Sequence, residues 1–143
     1  MGNQFDNKAS HCLFIGDRNL AKVIAQDERE IMEIGGSFDA IANRMDSITE
    51  DAQQSRSFPY NLDSKVRVIS YVTTRGMQEC PFNRNCRIGD YLGWNEDVKI
   101  ESKKTGKKLT VNSGTAHLAR EHHLLEKDNE YSISAREFYE SFM

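Results

Sequence analysis

Two cysteines and two histidines carry the chemistry in this sequence. They occur as Cys80-x5-Cys86 and, thirty residues later, as His117-x4-His122. Thiolate sulfur and imidazole nitrogen are the ligands zinc prefers, and four of them in a tetrahedron make a closed structural site. The cysteines bracket Cys-Pro-Phe-Asn-Arg-Asn-Cys, a turn-prone stretch that can fold both sulfurs around one ion. The histidines keep the usual three to five residues between metal-binding imidazoles. The spacing therefore predicts a structural Zn2+ held by Cys80, Cys86, His117 and His122. Cys-x5-Cys is looser than the common two to four intervening residues, so ordinary thiols and a surface histidine cluster are the alternative. His123 is the alternative to His122, and because adjacent helical side chains diverge, only one of them should bind. A straight helix sets His117 and His122 about 140° apart, five steps of 100°. The helix must therefore loosen at its end, and a final 3₁₀ turn is the expected device.

Catalytic readings fail on spacing. His117-Leu-Ala-Arg-Glu121-His122 has three residues between the first His and the Glu, where the inverted zincin pattern needs two, and HExxH is absent. Glu121 then orients a ligand ring or is simply solvated. A catalytic zinc keeps an open position, and four candidate ligands leave none. Phe14-Ile15-Gly16-Asp17 has one glycine where a nucleotide-binding turn needs more. Asp90, Glu96 and Asp97, around Trp94, read as loop decoration, and Cys12 beside His11 as a buried thiol. The reading leans away from an enzyme.

The elements that must position the four ligands follow from periodicity. Leu20, Val23, Ile24, Ile31 and Ile34 recur at helical spacing, with Asp17 as the cap, Asp27 interrupting the face and Gly35-Gly36 ending it. Ser37 caps a second helix with Phe38, Ile41, Met45 and Ile48 on one face. The two form a helical hairpin over residues 13–50, behind a flexible arm at 1–12. Residues 51–64, polar around Pro59, read as a loop. Val66, Val68, Ile69, Tyr71 and Val72 make a central strand that Arg75-Gly76 should break. Val98–Ser102 and Lys107–Val111 alternate around a Thr105-Gly106 turn, a β-hairpin pattern. A short helix then bears the histidines, and Ser134-x-x-Glu137 opens a last helix with Phe138 and Phe142. The expectation is an α+β chain with residues 13–143 in one domain. Its small antiparallel sheet and C-terminal helices occupy 65–143, stapled by zinc.

Arg75-Gly76, Cys80-Pro81-Phe82, Cys86, the Lys-Thr-Gly turn and His117-Leu-Ala-Arg-Glu-His122-His-Leu-Leu-Glu126 resemble a family of small uncharacterised bacterial proteins. The resemblance spans about residues 65–143. Leu124-Leu125 departs from the paired phenylalanines of that family, which bears on local packing and leaves the ligands intact. The resemblance implies a zinc-type site and a bacterial or phage origin. It implies no activity.

At 143 residues with 38% hydrophobic and 29% charged residues, the core can only be modest, so metal binding would add needed folding free energy. Three cysteines do not suggest a disulfide framework. No apolar run suits a membrane, and Met1–Ser10 lacks a signal-peptide core. The expectation is a cytoplasmic protein whose partner is another protein. A nucleic-acid-binding module is the runner-up, through Lys103, Lys104, Lys107 and Lys108, and a metal-dependent hydrolase comes third. With a net charge of −3 and no aromatics interleaved at the basic tip, no appreciable affinity for generic DNA or RNA is expected at physiological salt. Titrations over a salt series check this. Micromolar binding that is lost on changing the four lysines to Gln, with a slope lower by about one per lost contact, would promote the runner-up.

Overall fold

Caps and glycines delimit the helical half. The computed structural model describes residues 19–80, 82, 93–127 and 129–143. The expected arm at 1–12 and the Asp17 cap lie outside them. Helix α1 runs Leu20–Ile34 and is capped by Asn19, whose side chain accepts the Lys22 N–H at 3.1 Å. It ends where Gly35 takes φ 66°, a left-handed value that costs a glycine little. Ser37 caps α2, Phe38–Gln54, by accepting the Ala40 N–H. The expected loop at 51–64 is thus partly helix. Thr49 and Ala52 prolong the buried face of Phe38, Ile41, Met45 and Ile48, and Glu and Gln on the outer side are good helix formers.

The sheet is antiparallel, in the order β1-β2-β3-β4, with β1 Tyr60–Asn61, β2 Val66–Glu79, β3 Gly93–Ser102 and β4 Lys108–Val111. β2 is central, as its β-branched run predicts. It does not end at Arg75-Gly76. The register jumps from Thr73↔Glu96 to Gln78↔Trp94, so the break becomes a bulge within a longer strand. That bulge carries β2 on to Cys80. Gly106, at φ 79°, makes the turn between β3 and β4. Helix α3, Ser113–His122, and α4, Ala135–Phe142, complete the fold. The architecture is the α+β arrangement expected, with a helical pair ahead of the sheet.

α2 packs chiefly on α3, and α1 on α4. Ile41, Ile48, Val66, Val68, Val98, Ile100, Val111, Phe138 and Phe142 form the main core. Each such side chain stabilises the fold by about 1.5–3 kcal/mol when fully buried. A smaller cluster of Leu20, Val23, Trp94, Leu118, Leu124 and Tyr131, with Phe82 against it, lies where α1 meets α3. No described helix is long and apolar enough to cross a membrane.

Asp27, the interruption on the apolar face of α1, is fully buried. Its Oδ2 accepts the N–H of Leu125 at 2.8 Å and of Glu126 at 3.1 Å, while Oδ1 has no hydrogen-bond partner among the described residues. Desolvation lifts its pKa to about 6, against the opposing pull of those two N–H groups. The folded chain therefore holds this proton more tightly than the unfolded chain. The contribution of Asp27 to stability is most favourable below the unfolded pKa and declines as pH rises from about 4 to about 6. An Asp27→Asn change, which keeps an oxygen acceptor without the charge, should stabilise the protein by on the order of 1–3 kcal/mol at pH 7.5. The difference should shrink on acidification through that window. Thermal unfolding of both proteins across pH checks this, and a gap that does not change with pH would contradict it.

Candidate metal centre

The histidine helix is fixed at its start by β3. Asn112 and Thr115 form a reciprocal capping box: the Asn112 side chain accepts the Thr115 N–H at 2.8 Å, and the Thr115 hydroxyl accepts the Asn112 N–H at 3.0 Å. Glu96, buried on β3, accepts the Ser113 N–H at 3.1 Å and the Ser113 hydroxyl. A carboxylate suits the positive end of a helix. Asp97 accepts from the Asn112 side chain at 3.0 Å and from the Tyr131 hydroxyl at 2.9 Å. Glu96 and Asp97 are therefore strand residues that anchor α3, where the sequence suggests loop decoration; Asp90 lies outside the described residues. The Trp94 indole presses on Gly114, where a Cβ would fall 2.1 Å from the ring. This close approach sets the height of α3 above the sheet.

At its other end α3 opens. His123 takes φ 56°, and the N–H groups of His123 and Leu124 both reach the Leu118 carbonyl, five and six residues back. The expected loosening is present, in the opposite sense to a 3₁₀ turn: the last turn is widened, in the manner of a π-type bond. Widening lets residues five apart share a side. The His117 and His122 rings meet edge-on with centroids 5.1 Å apart.

Cys80 follows directly on β2, and its Sγ lies 3.3 Å from His122 Nε2. One ligand atom from each of Cys80, His117 and His122 falls within 4.8 Å of the others. A tetrahedral zinc spaces sulfur and nitrogen about 3.5 Å apart, so side-chain shifts of about 1 Å would close the trio on one ion. Cys80 and His117 are buried and His122 is half-buried. His117 Nε2 is buried with no hydrogen-bond partner among the described residues. Leaving such a nitrogen unsatisfied costs about 1–3 kcal/mol, and a metal ion would remove that cost. Burial lowers the pKa of both imidazoles, helped at His117 by the neighbouring His122 and opposed at both by Glu121. The rings are thereby favoured in the neutral form that ligates. Phe82 stacks on the His122 ring at 4.2 Å and fixes its plane. The group Cys80, His117 and His122 can hold a metal ion.

Cys86, the fourth predicted ligand, lies outside the described residues, as do Cys12 and His11. His123 turns away from the trio. Its ring stacks on Phe38 at 4.3 Å and its Nδ1 meets Glu28 at 2.7 Å. Glu121 is exposed. The basic turn is divided: Lys103 Nζ lies 3.4 Å from the Asp63 carbonyl and Lys107 Nζ 3.7 Å from Glu137, while Lys104 and Lys108 are exposed. No known protein family, curated protein or solved structure matches the chain. Because Gly114 has no room for a methyl group, Gly114→Ala should destabilise the fold by about 1–3 kcal/mol. Urea unfolding would register the shift, and an unchanged midpoint would mean that the indole does not fix α3.

Proposed function

We propose that this chain is a small zinc-binding protein with a structural site of Cys80, Cys86, His117 and His122, serving protein–protein interaction or regulation. The observation that carries the zinc reading is the buried His117 Nε2, without a partner among the described residues and placed beside a buried cysteine and a second imidazole. Soft sulfur and imidazole donors suit zinc over the oxygen-seeking divalent ions. Bound there, the ion would join the end of β2 to α3, across the smaller hydrophobic cluster. Cys86 enters this set from its spacing in the sequence. Cytoplasmic residence and a bacterial or phage source belong to the same proposal.

The interaction role is supported by an open trough of about 660 Å3 on the sheet. Its lining sets a largely apolar floor of Ile69, Ile100 and Leu109 beside Arg67, Lys99 and Glu101. An open apolar surface rimmed by charged side chains suits contact with another macromolecule better than the enclosed pocket typical of small-molecule chemistry.

Protein purified under reducing conditions without chelator should contain one zinc per chain by elemental analysis. Cys80→Ser, Cys86→Ser and His117→Ala should each lower that occupancy, whereas Cys12→Ser should not. Chelation should lower the unfolding temperature, because binding free energy is here folding free energy. Folded protein that never met a chelator and yet carries no metal would end the zinc reading.

A further inference from the structure

We propose that Asp27, ninety-five residues from His122 in the chain, is a positioning residue for the metal centre: its carboxylate fixes the chain reversal after His122 and thereby sets the affinity for the ion. This inference rests on the zinc reading above.

The reversal is costly to form alone. His123 is a non-glycine residue at φ 56°, a conformation disfavoured by about 1–2 kcal/mol. Leu124 and Leu125, next along, are fully buried. The N–H groups of Leu125 and Glu126 therefore point inward just where the helix can no longer supply acceptors. Each would cost about 1–3 kcal/mol if left without one. Asp27 Oδ2 accepts both. On the other side of the turn, Glu28 and Phe38 hold the His123 ring. Consecutive residues of α1, with the first residue of α2, thus grip three of the four residues that follow His122. His122 is the ligand joined directly to that gripped segment, and a ligand trio within about 1 Å of tetrahedral spacing is sensitive to small backbone shifts. The burial of a carboxylate on an apolar face, where an apolar side chain would stabilise α1 more, is explained if the turn needs a double acceptor there.

The test is metal titration of the full chain under reducing, metal-free conditions. Zinc affinity is read by competition with a chelator, and the ligand geometry by the Co2+ absorption spectrum. Asp27→Ala should weaken zinc binding about tenfold or more and alter the Co2+ spectrum, as loss of a supporting contact does in other metal sites. Asp27→Asn, which restores an oxygen acceptor, should bring affinity back to within about threefold of the parent, below the loss expected when the support is removed. Phe142→Leu, a core change remote from the turn, should lower stability without changing affinity. In the parent protein, zinc should slow hydrogen exchange at Leu125 and Glu126, since the coupling is reciprocal. Folded Asp27→Ala with parental affinity would overturn the positioning role and leave the zinc reading intact, and so would exchange at these two amides that zinc does not alter. A parent chain that binds no zinc removes both. Should Asp27→Ala fail to fold, the exchange measurement on the parent decides.

Discussion

Two side chains five residues apart cannot share one face of a regular α-helix. At 3.6 residues per turn they are separated by about 140°, yet His117 and His122 meet edge-on beside Cys80. The widened last turn of α3 resolves the conflict, and much of the surrounding structure follows from it. The widening leaves His123 in a left-handed conformation and carries the chain into the interior at Leu124 and Leu125. The reversed segment then needs acceptors and packing from elsewhere, which α1 and the start of α2 provide. The N-terminal helices are in this sense part of the site's framework, although none of their described residues belongs to the ligand group.

The two hydrophobic clusters divide the labour. The larger one, between α2, α4 and the sheet, contains most of the buried apolar side chains. The smaller one, around Trp94, Leu118 and Leu124, underlies the candidate ligand group and includes contacts that only particular residues allow. Gly114 must lack a side chain for Trp94 to reach α3. Glu96 and Asp97 must be acidic to meet the helix start and its cap. These contacts fix α3 at its first turn, while Asp27 holds the segment after its last. The histidines lie between two anchored ends, an arrangement that holds ligands more precisely than a loop would.

What could be read from the sequence depended on whether the signal was local. Helix faces, the Ser37 cap, the β3–β4 hairpin and the helix at Ser134 rest on neighbours a few residues apart, and all are seen in the structure. Residues 49–54 were harder, because polar side chains conceal the continuing face of Thr49 and Ala52. Arg75-Gly76 looks like a terminator by composition, but pairing with β3 carries the strand through as a bulge, a tertiary effect that propensity does not contain. The approach of Cys80 to the histidine pair was legible as ligand spacing. The partners of Asp27 were not: the pattern marked it only as a flaw in an apolar face, and nothing within a window of α1 points to amides at 125 and 126. Glu96 and Asp97 hid for the same reason, as acidic residues whose partners lie at the start of α3 and at Tyr131.

Asp27 also shows how stability and site geometry pull against each other. Its pKa near 6 means that the ionised carboxylate is held at neutral pH against desolvation, at a cost on the order of 3 kcal/mol relative to an exposed Asp. Net stability of a domain is typically only 5–15 kcal/mol, so this is a large fraction to forgo. A neutral amide could accept the same two N–H groups, so hydrogen bonding alone does not demand the charge. A carboxylate differs in having no N–H of its own to satisfy. Its second oxygen has no hydrogen-bond partner among the described residues, so an amide NH2 placed there would offset part of the stability gained by removing the charge. The charge also lies on the same side of the fold as the turn that follows His122. With two thiolates bound, the proposed site would be close to neutral, so the carboxylate would act on it through the turn that it holds and not through its charge.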